Sequence, residues 1–211
     1  MSLTVLGDLT RRRGACALIA VKERSRCKTR LADVLTPPER LDLVRSMLSA
    51  VLAAAENAQT VHQVIVISPE RDTVPAAIPV LADTGDSLNE ALTQAHTLVR
   101  EFGCQEFVVL PADLPLITSA EIDELVRAGR AGGFAMATDA AGVGTNALCL
   151  NSIQPFHFQF GPDSRHLHLL EARRMGASPQ MVQLAGLEFD VDSPTDLDLL
   201  EGQKWLPRLR A

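Results

Sequence analysis

The chain has 211 residues, 46% hydrophobic and 22% charged, which is material for one globular domain and leaves no room for a large second one. Its formal net charge of -6 excludes a global basic field for nucleic acid, although a local basic patch remains compatible with it. No run approaches the roughly 18 apolar residues that a bilayer span needs. The arginines of the N-terminus follow a short apolar patch, which is not the order of a signal peptide.

In chain order, short apolar runs predict strands at Cys16–Val21, Val64–Ile67, Pro79–Leu81, Phe107–Leu110, Phe134–Ala137, Asn146–Leu150 and Glu188–Val191. Several are apolar throughout, as strands covered on both faces of a parallel sheet are. Between them lie helix-start signals. Thr36-Pro37-Pro38-Glu39, Ser87-Leu88-Asn89-Glu90 and Thr118-Ser119-Ala120-Glu121 carry a hydroxyl followed three residues later by glutamate. Ser193-Pro194-Thr195-Asp196 is a looser version. After the first cap, Leu41, Val44, Met47, Leu48, Val51 and Leu52 mark one apolar helical face. Strands alternating with capped helices predict a single-domain α/β/α sandwich over residues 1–211, built around a mostly parallel sheet. Residues 1–14 and 204–211 read as loosely held ends. Four widely spaced cysteines, Cys16, Cys27, Cys104 and Cys149, form no CxxC; they are expected to be reduced thiols of a cytoplasmic protein.

Ligands of such folds sit beyond the carboxyl ends of the strands, so the residues there carry the functional information. After the first strand comes "VKERSRCKTRL", with Lys22, Arg24, Arg26, Lys28 and Arg30 against one acid. That density of cations suits a polyphosphate. A solvated basic loop is the plain alternative, and the position after the first strand favours phosphate. There is no GxxxxGK[ST], which excludes a P-loop. After the fourth strand, "FVVLPADLPL" ends a buried run on Asp113, with Pro111 and Pro115 stiffening the turn. Thr118 already supplies the next helix cap, so Asp113 is not needed as one. In "LEFDVDSPTDL", Asp190 and Asp192 share a face if the segment is extended, and two acids on one face repel unless a cation sits between them. Asp113, Asp190 and Asp192 are therefore candidate Mg²⁺ ligands. "GTNALCL" puts Thr145 and Asn146 at a strand mouth. "FQFGPDSRHLH" joins Gly161, Ser164 and Arg165 to His166 and His168, which are expected to face solvent at a helix start; His62, His96 and His157 look incidental.

These stretches, together with "SLNEAL" and "LPADLPL", occur in an order that resembles the 2-phospho-L-lactate guanylyltransferase family of coenzyme F-420 biosynthesis, over about residues 16 to 200. The resemblance implies a nucleotidyltransferase fold of the nucleotide-diphospho-sugar transferase type. It implies attack by the phosphate of a three-carbon acid (2-phospholactate, phosphoenolpyruvate or 3-phosphoglycerate) on the α-phosphorus of GTP, with pyrophosphate leaving. By position, Asp113, Asp190 and Asp192 match the family's Mg²⁺ acids. Thr145, Gly161 and Ser164 match its acceptor-binding positions. Lys22, Lys28 and Arg30 match the basic loop facing the GTP phosphates, with Lys28 and Arg30 the catalytic cations. Leu88 and Asn89 match the nucleoside loop. The chain departs from the family at Asp163 and Arg165, which flank Ser164, and at Ser87, where the nucleoside loop often has glycine. Arg165 is expected to add a cation to the acceptor pocket and favour a longer acid such as 3-phosphoglycerate. Folds of this type often pair as homodimers, but no interface is readable. Two other readings stay open: a nucleotidyltransferase for molybdopterin or sugar phosphate, disfavoured by the missing Gly-rich loop, and a non-catalytic nucleotide-binding protein.

Overall fold

The computed structural model describes residues 14–21, 28–83, 87–101, 103–151 and 155–203. Among the described residues, seven strands form one sheet: β1 (Ala15–Ala20), β2 (Val61–Ser68), β3 (Val80–Ala82), β4 (Glu106–Pro111), β5 (Phe134–Ala137), β6 (Ala147–Asn151) and β7 (Gln180–Met181). Their spatial order is β3-β2-β1-β4-β6-β5-β7, and only β6 runs antiparallel to its neighbours. The helices are α1 (Pro37–Asn57), α2 (Leu88–Glu101), α3 (Ser119–Gly132), α4 (Ser164–Arg174), α5 (Ala185–Glu188) and α6 (Pro194–Gly202).

The alternation along β1 shows why the sheet is covered on both faces. Ala15, Ala17 and Ile19 pack with Leu48 and Val51 of α1 and with Ile122 and Leu125 of α3. Cys16 and Leu18 point the other way, toward Leu92, Ala95 and Val99 of α2 and the rings of Phe107 and Phe156. Both sets are buried, so the strand reads as an unbroken apolar run. A third cluster joins Leu31, Leu43 and Met47 to Val191, Leu197 and Leu200, fastening α6 beneath the chain that follows β1. Cys16, Cys104 and Cys149 are free and buried; Cys27 lies outside the described residues, as do most of the two chain ends expected to be loose.

The caps form as the sequence implies. The N–H of Thr118 donates to Glu121 at 2.9 Å while Glu121 N–H donates back to the Thr118 hydroxyl at 3.3 Å. Thr36 N–H donates to Glu39 at 2.7 Å, and Glu90 N–H to the Ser87 hydroxyl at 3.2 Å. At the start of α6 the Asp196 carboxylate accepts from the N–H groups of both Asp192 and Ser193, at 3.0 and 2.7 Å. That cap fixes the backbone of a candidate site residue.

The expected strand at Glu188–Val191 does not form. Ala185–Glu188 is a short helix and the following residues pair with no strand. Gly186 presses against the start of α3, its N–H donating to Glu121 at 2.7 Å. A Cβ there would lie 2.6 Å from the Leu116 carbonyl oxygen. This tether curls the chain before it could join a sheet. A two-residue strand, β7, adds to the edge instead, and both of its residues are exposed. Asp190 and Asp192 nevertheless both face the cleft, with Val191 fully buried between them.

Candidate active site

From β1 the chain passes through α1 to β2 and then β3 on one side; it then jumps to β4 on the other side of β1. The carboxyl ends of β1 and β4 therefore flank the point where the winding reverses, the place where an open α/β sheet leaves a crevice. A cleft of about 500 Å³ opens there. Because β6 is antiparallel, its first residues reach the same edge, which brings Thr145 and Asn146 beside Asp113.

The cleft is lined by Lys28, Arg30, Leu88, Asp113, Thr145, Gly161, Ser164, Asp190 and Asp192, nine of the positions predicted from sequence. The Lys28 ammonium bridges two acids, 2.6 Å from Asp113 and 2.8 Å from Asp192. Arg30 reaches the second oxygen of Asp192 at 3.4 Å from an exposed position. Burial pulls Lys28 toward losing its proton, but Asp113 and Asp192 outweigh that and hold its pKa above that of a free lysine. Burial pushes the Asp190 carboxyl up; Asn146 opposes this through a 3.3 Å hydrogen bond, and the like charges of Asp113 and Asp192 add to it. Lys28 sits in the left-handed region at φ 51°, as does Asp163 at φ 59°; among the described residues they are the non-glycine positions with positive φ. Lys28 lines the cleft and Asp163 directly precedes Ser164, which also lines it; strained backbone tends to be retained at such places for function.

Three predicted positions are not part of this set. Lys22 lies outside the described residues. Asn89 does not line the cleft: its amide clamps Phe160, donating to the carbonyl at 3.0 Å and accepting from the N–H at 2.7 Å. Arg165 is exposed and does not line the cleft; its guanidinium donates to the Gly142 carbonyl at 3.0 Å.

The structure also adds residues that the sequence reading did not single out. Asp139 and Phe160 line the cleft, and Asp139 accepts from Val143 N–H at 2.9 Å. Asp139 stands just beyond β5, where the strand-end rule would have found it. His168, expected to face solvent, is fully buried. Burial pulls its pKa down to about 4, against the opposing pull of Glu171. His96 is buried too, edge-on to Phe107 and Phe158, and serves as core.

Glu171 anchors the segment that forms the cleft wall. It accepts from the His157 N–H at 3.1 Å and takes both prongs of Arg174 at 2.7 Å. The Arg174 hydrogen bonds bring its pKa from 4.5 to about 2, despite burial. A depressed carboxyl contributes stability that is complete above its ordinary pKa and is lost as pH falls through the folded value. Glu171→Gln is therefore expected to cost about 1–2 kcal/mol near neutral pH, discounted because Arg174 is half exposed. The difference in Tm from wild type should close as pH falls from 4.5 toward about 2. Thermal melts across that range check this.

A doubly covered sheet with a cleft at its switch point that sets cations against acids is suited to binding a nucleotide's phosphates. A protein of Desulfovibrio desulfuricans G20 assigned to the nucleotide-diphospho-sugar transferases shares the fold, with a TM-score of 0.72 at 17% identity over 93% of this chain and 90% of that one. Residues 15–203 match the family described as "Guanylyl transferase CofC like", and the chain belongs to it; it is a guanylyl-transferring enzyme. It is 37% identical to the phosphoenolpyruvate guanylyltransferase of Sphaerobacter thermophilus over 190 residues, 88% of this chain and 92% of that protein. It is 38% identical to the enzyme of the same name from Mycolicibacterium gilvum over 191 residues, 85% and 86% of the two chains.

Proposed function

We propose that the chain, acting as one nucleotidyltransferase domain, transfers GMP from GTP to the phosphate of a three-carbon acid, with phosphoenolpyruvate the preferred acceptor, as a step in coenzyme F-420 assembly. The observation that carries this reading is the Lys28 ammonium held among the acids at the switch-point cleft. The names of relatives at 37–38% identity favour phosphoenolpyruvate. Arg165, which does not line the cleft, gives no reason to expect a longer acid.

In this reading an oxygen of the acceptor phosphate attacks the α-phosphorus of GTP, the bond to the bridging oxygen breaks, and pyrophosphate leaves. That phosphate is already a competent nucleophile near neutral pH, so no general base is assigned. Lys28 and Arg30 face the triphosphate and Leu88 the nucleoside. Thr145, the Gly161 backbone and Ser164 face the acceptor's anionic groups. The cleft's work is alignment and charge stabilisation, which transfers at phosphorus chiefly require.

Asp113, Asp190 and Asp192 offer only oxygen donors, the kind that Mg²⁺ takes. Among the described residues no set of three acids, histidines or cysteines is close enough to cage an ion alone. Mg²⁺ usually takes one or two protein carboxylates and fills its shell with phosphate and water. One or two of Asp113, Asp190 and Asp192 would hold it, and it would offset charge on the phosphates.

The test is pyrophosphate release from GTP with Mg²⁺, offering phosphoenolpyruvate, 2-phospholactate and 3-phosphoglycerate in parallel, with ATP and CTP as nucleotide controls. Release with GTP and phosphoenolpyruvate is expected. Release with another acid alone would reassign the acceptor, and silence with all three would overturn the reading.

A further inference from the structure

We propose that His168 is a positioning residue for the transfer: its ring fixes the Thr145 hydroxyl as a hydrogen-bond donor into the acceptor half of the cleft. This rests on the reading of Thr145 as an acceptor contact.

The ring is fully buried on α4, between the cleft wall and the core. Each ring nitrogen meets one partner, and one of those partners has fixed polarity. The Gln159 backbone N–H can only donate, and it lies 2.9 Å from Nε2. Nε2 must therefore carry the lone pair, which leaves the proton on Nδ1. Nδ1 lies 3.0 Å from the Thr145 hydroxyl oxygen, so the ring donates and the hydroxyl accepts. The hydroxyl hydrogen is then left for one of two targets: the thioether of Met136 at 3.3 Å, a weak acceptor, or an anionic oxygen in the cleft that Thr145 lines. A phosphate or carboxylate oxygen wins that choice, because hydrogen bonds to charged acceptors are roughly twice as strong as neutral ones. The tautomer of a buried imidazole thus sets the polarity of a side chain in the cleft.

The surroundings keep the ring in that state. Phe160 stands edge-on at 4.8 Å between ring centroids and Phe156 is tilted at 5.8 Å. The bond to Gln159 also secures the wall: Gln159 precedes Phe160, which Asn89 grips by both backbone groups, and Gly161 follows. His168 and Asn89 therefore hold one short segment from opposite ends.

The two nitrogens can be separated by substitution. His168→Gln keeps an oxygen where Nε2 accepts from Gln159 but removes the donor to Thr145. His168→Asn keeps a donor in place of Nδ1 but gives up the Gln159 bond. Initial rates with GTP and phosphoenolpyruvate are measured for both, for Thr145→Val and for His168→Gln combined with Thr145→Val, with Tm recorded for each. Thr145→Val and His168→Gln are each expected to raise the acceptor KM by about tenfold, the effect of one hydrogen bond to a charged ligand, with the GTP KM within about twofold. The double variant should be no worse than Thr145→Val alone, because both remove the same interaction. His168→Asn, which keeps the donor to Thr145, should raise the acceptor KM less than His168→Gln does. The inference is overturned if His168→Gln leaves the acceptor KM unchanged while Thr145→Val raises it, or if the two effects multiply. If Thr145→Val itself leaves the acceptor KM unchanged, the acceptor role of Thr145 falls and the inference falls with it.

Discussion

Asp113→Asn is expected to lower kcat by on the order of 10³-fold while the protein stays folded, the loss typical of removing one preorganised electrostatic group at a phosphorus or acyl centre. The substitution keeps the shape and removes the charge. Asp113 stands two residues beyond β4, which pairs with the central β1, and Val191 N–H donates to its carbonyl at 3.3 Å. That scaffold does not depend on the carboxylate, whose side chain is a quarter exposed. Asn can still accept from the Lys28 ammonium, so Tm should fall by only a few degrees, about 1 kcal/mol in a domain of this size. Asp192→Asn should cost less activity, since that carboxylate is about half exposed and shares its charge with Arg30. Single-turnover rates with GTP, alongside circular dichroism, separate loss of chemistry from loss of fold. If Asp113→Asn keeps more than about a tenth of the wild-type rate, the carboxylate is not at the reacting phosphates.

Much of this site could be read in the sequence because each strand end announces itself. A buried run that stops on Asp113 between two prolines, and a cap hydroxyl that follows the pair Asp190 and Asp192, are local signals with local causes. What stayed illegible depends on the third dimension. Asp190 was expected on a strand with Asp192 just past its end; the turn at Gly186, fixed by a residue 65 positions away, prevents it. Asn89 and Phe160 are 71 residues apart, and nothing in either stretch reveals that one clamps the other. His168 looked solvated because it follows Asp163, Arg165 and His166 at a helix start, yet the helix turns it inward together with Ser164, Glu171 and Ala172. Arg165, its near neighbour, was expected in the pocket and faces out. Helical phase decides both, and a short helix with mixed polarity does not declare its phase.

Lys28→Met removes the ammonium that joins the acids, and its expected consequences run in two directions. Turnover should fall by about 10²- to 10³-fold, because a cation facing the triphosphate is lost from a site whose catalysis is largely electrostatic. The ammonium side chain is only 7% exposed, so its carboxylates are left facing each other without a counter-charge. Their partial exposure moderates the cost to about 1–3 kcal/mol, below that of breaking a fully buried pair. This contribution is steady across ordinary assay conditions. A lysine whose pKa is raised contributes stability that is complete below the free value of about 10.4 and lost only as pH climbs past the raised one. Between about pH 6 and 9 the comparison is therefore between a charged side chain and none. The acids left behind then ask for another cation. Without nucleotide, Mg²⁺ should raise the Tm of Lys28→Met more than that of wild type, where the ammonium already occupies the space between Asp113 and Asp192. Melts with and without Mg²⁺, at fixed ionic strength to separate binding from screening, make the comparison. An equal response in both proteins would mean that Lys28 and the divalent ion do not share these carboxylates, and that the ammonium's place is with the acids alone.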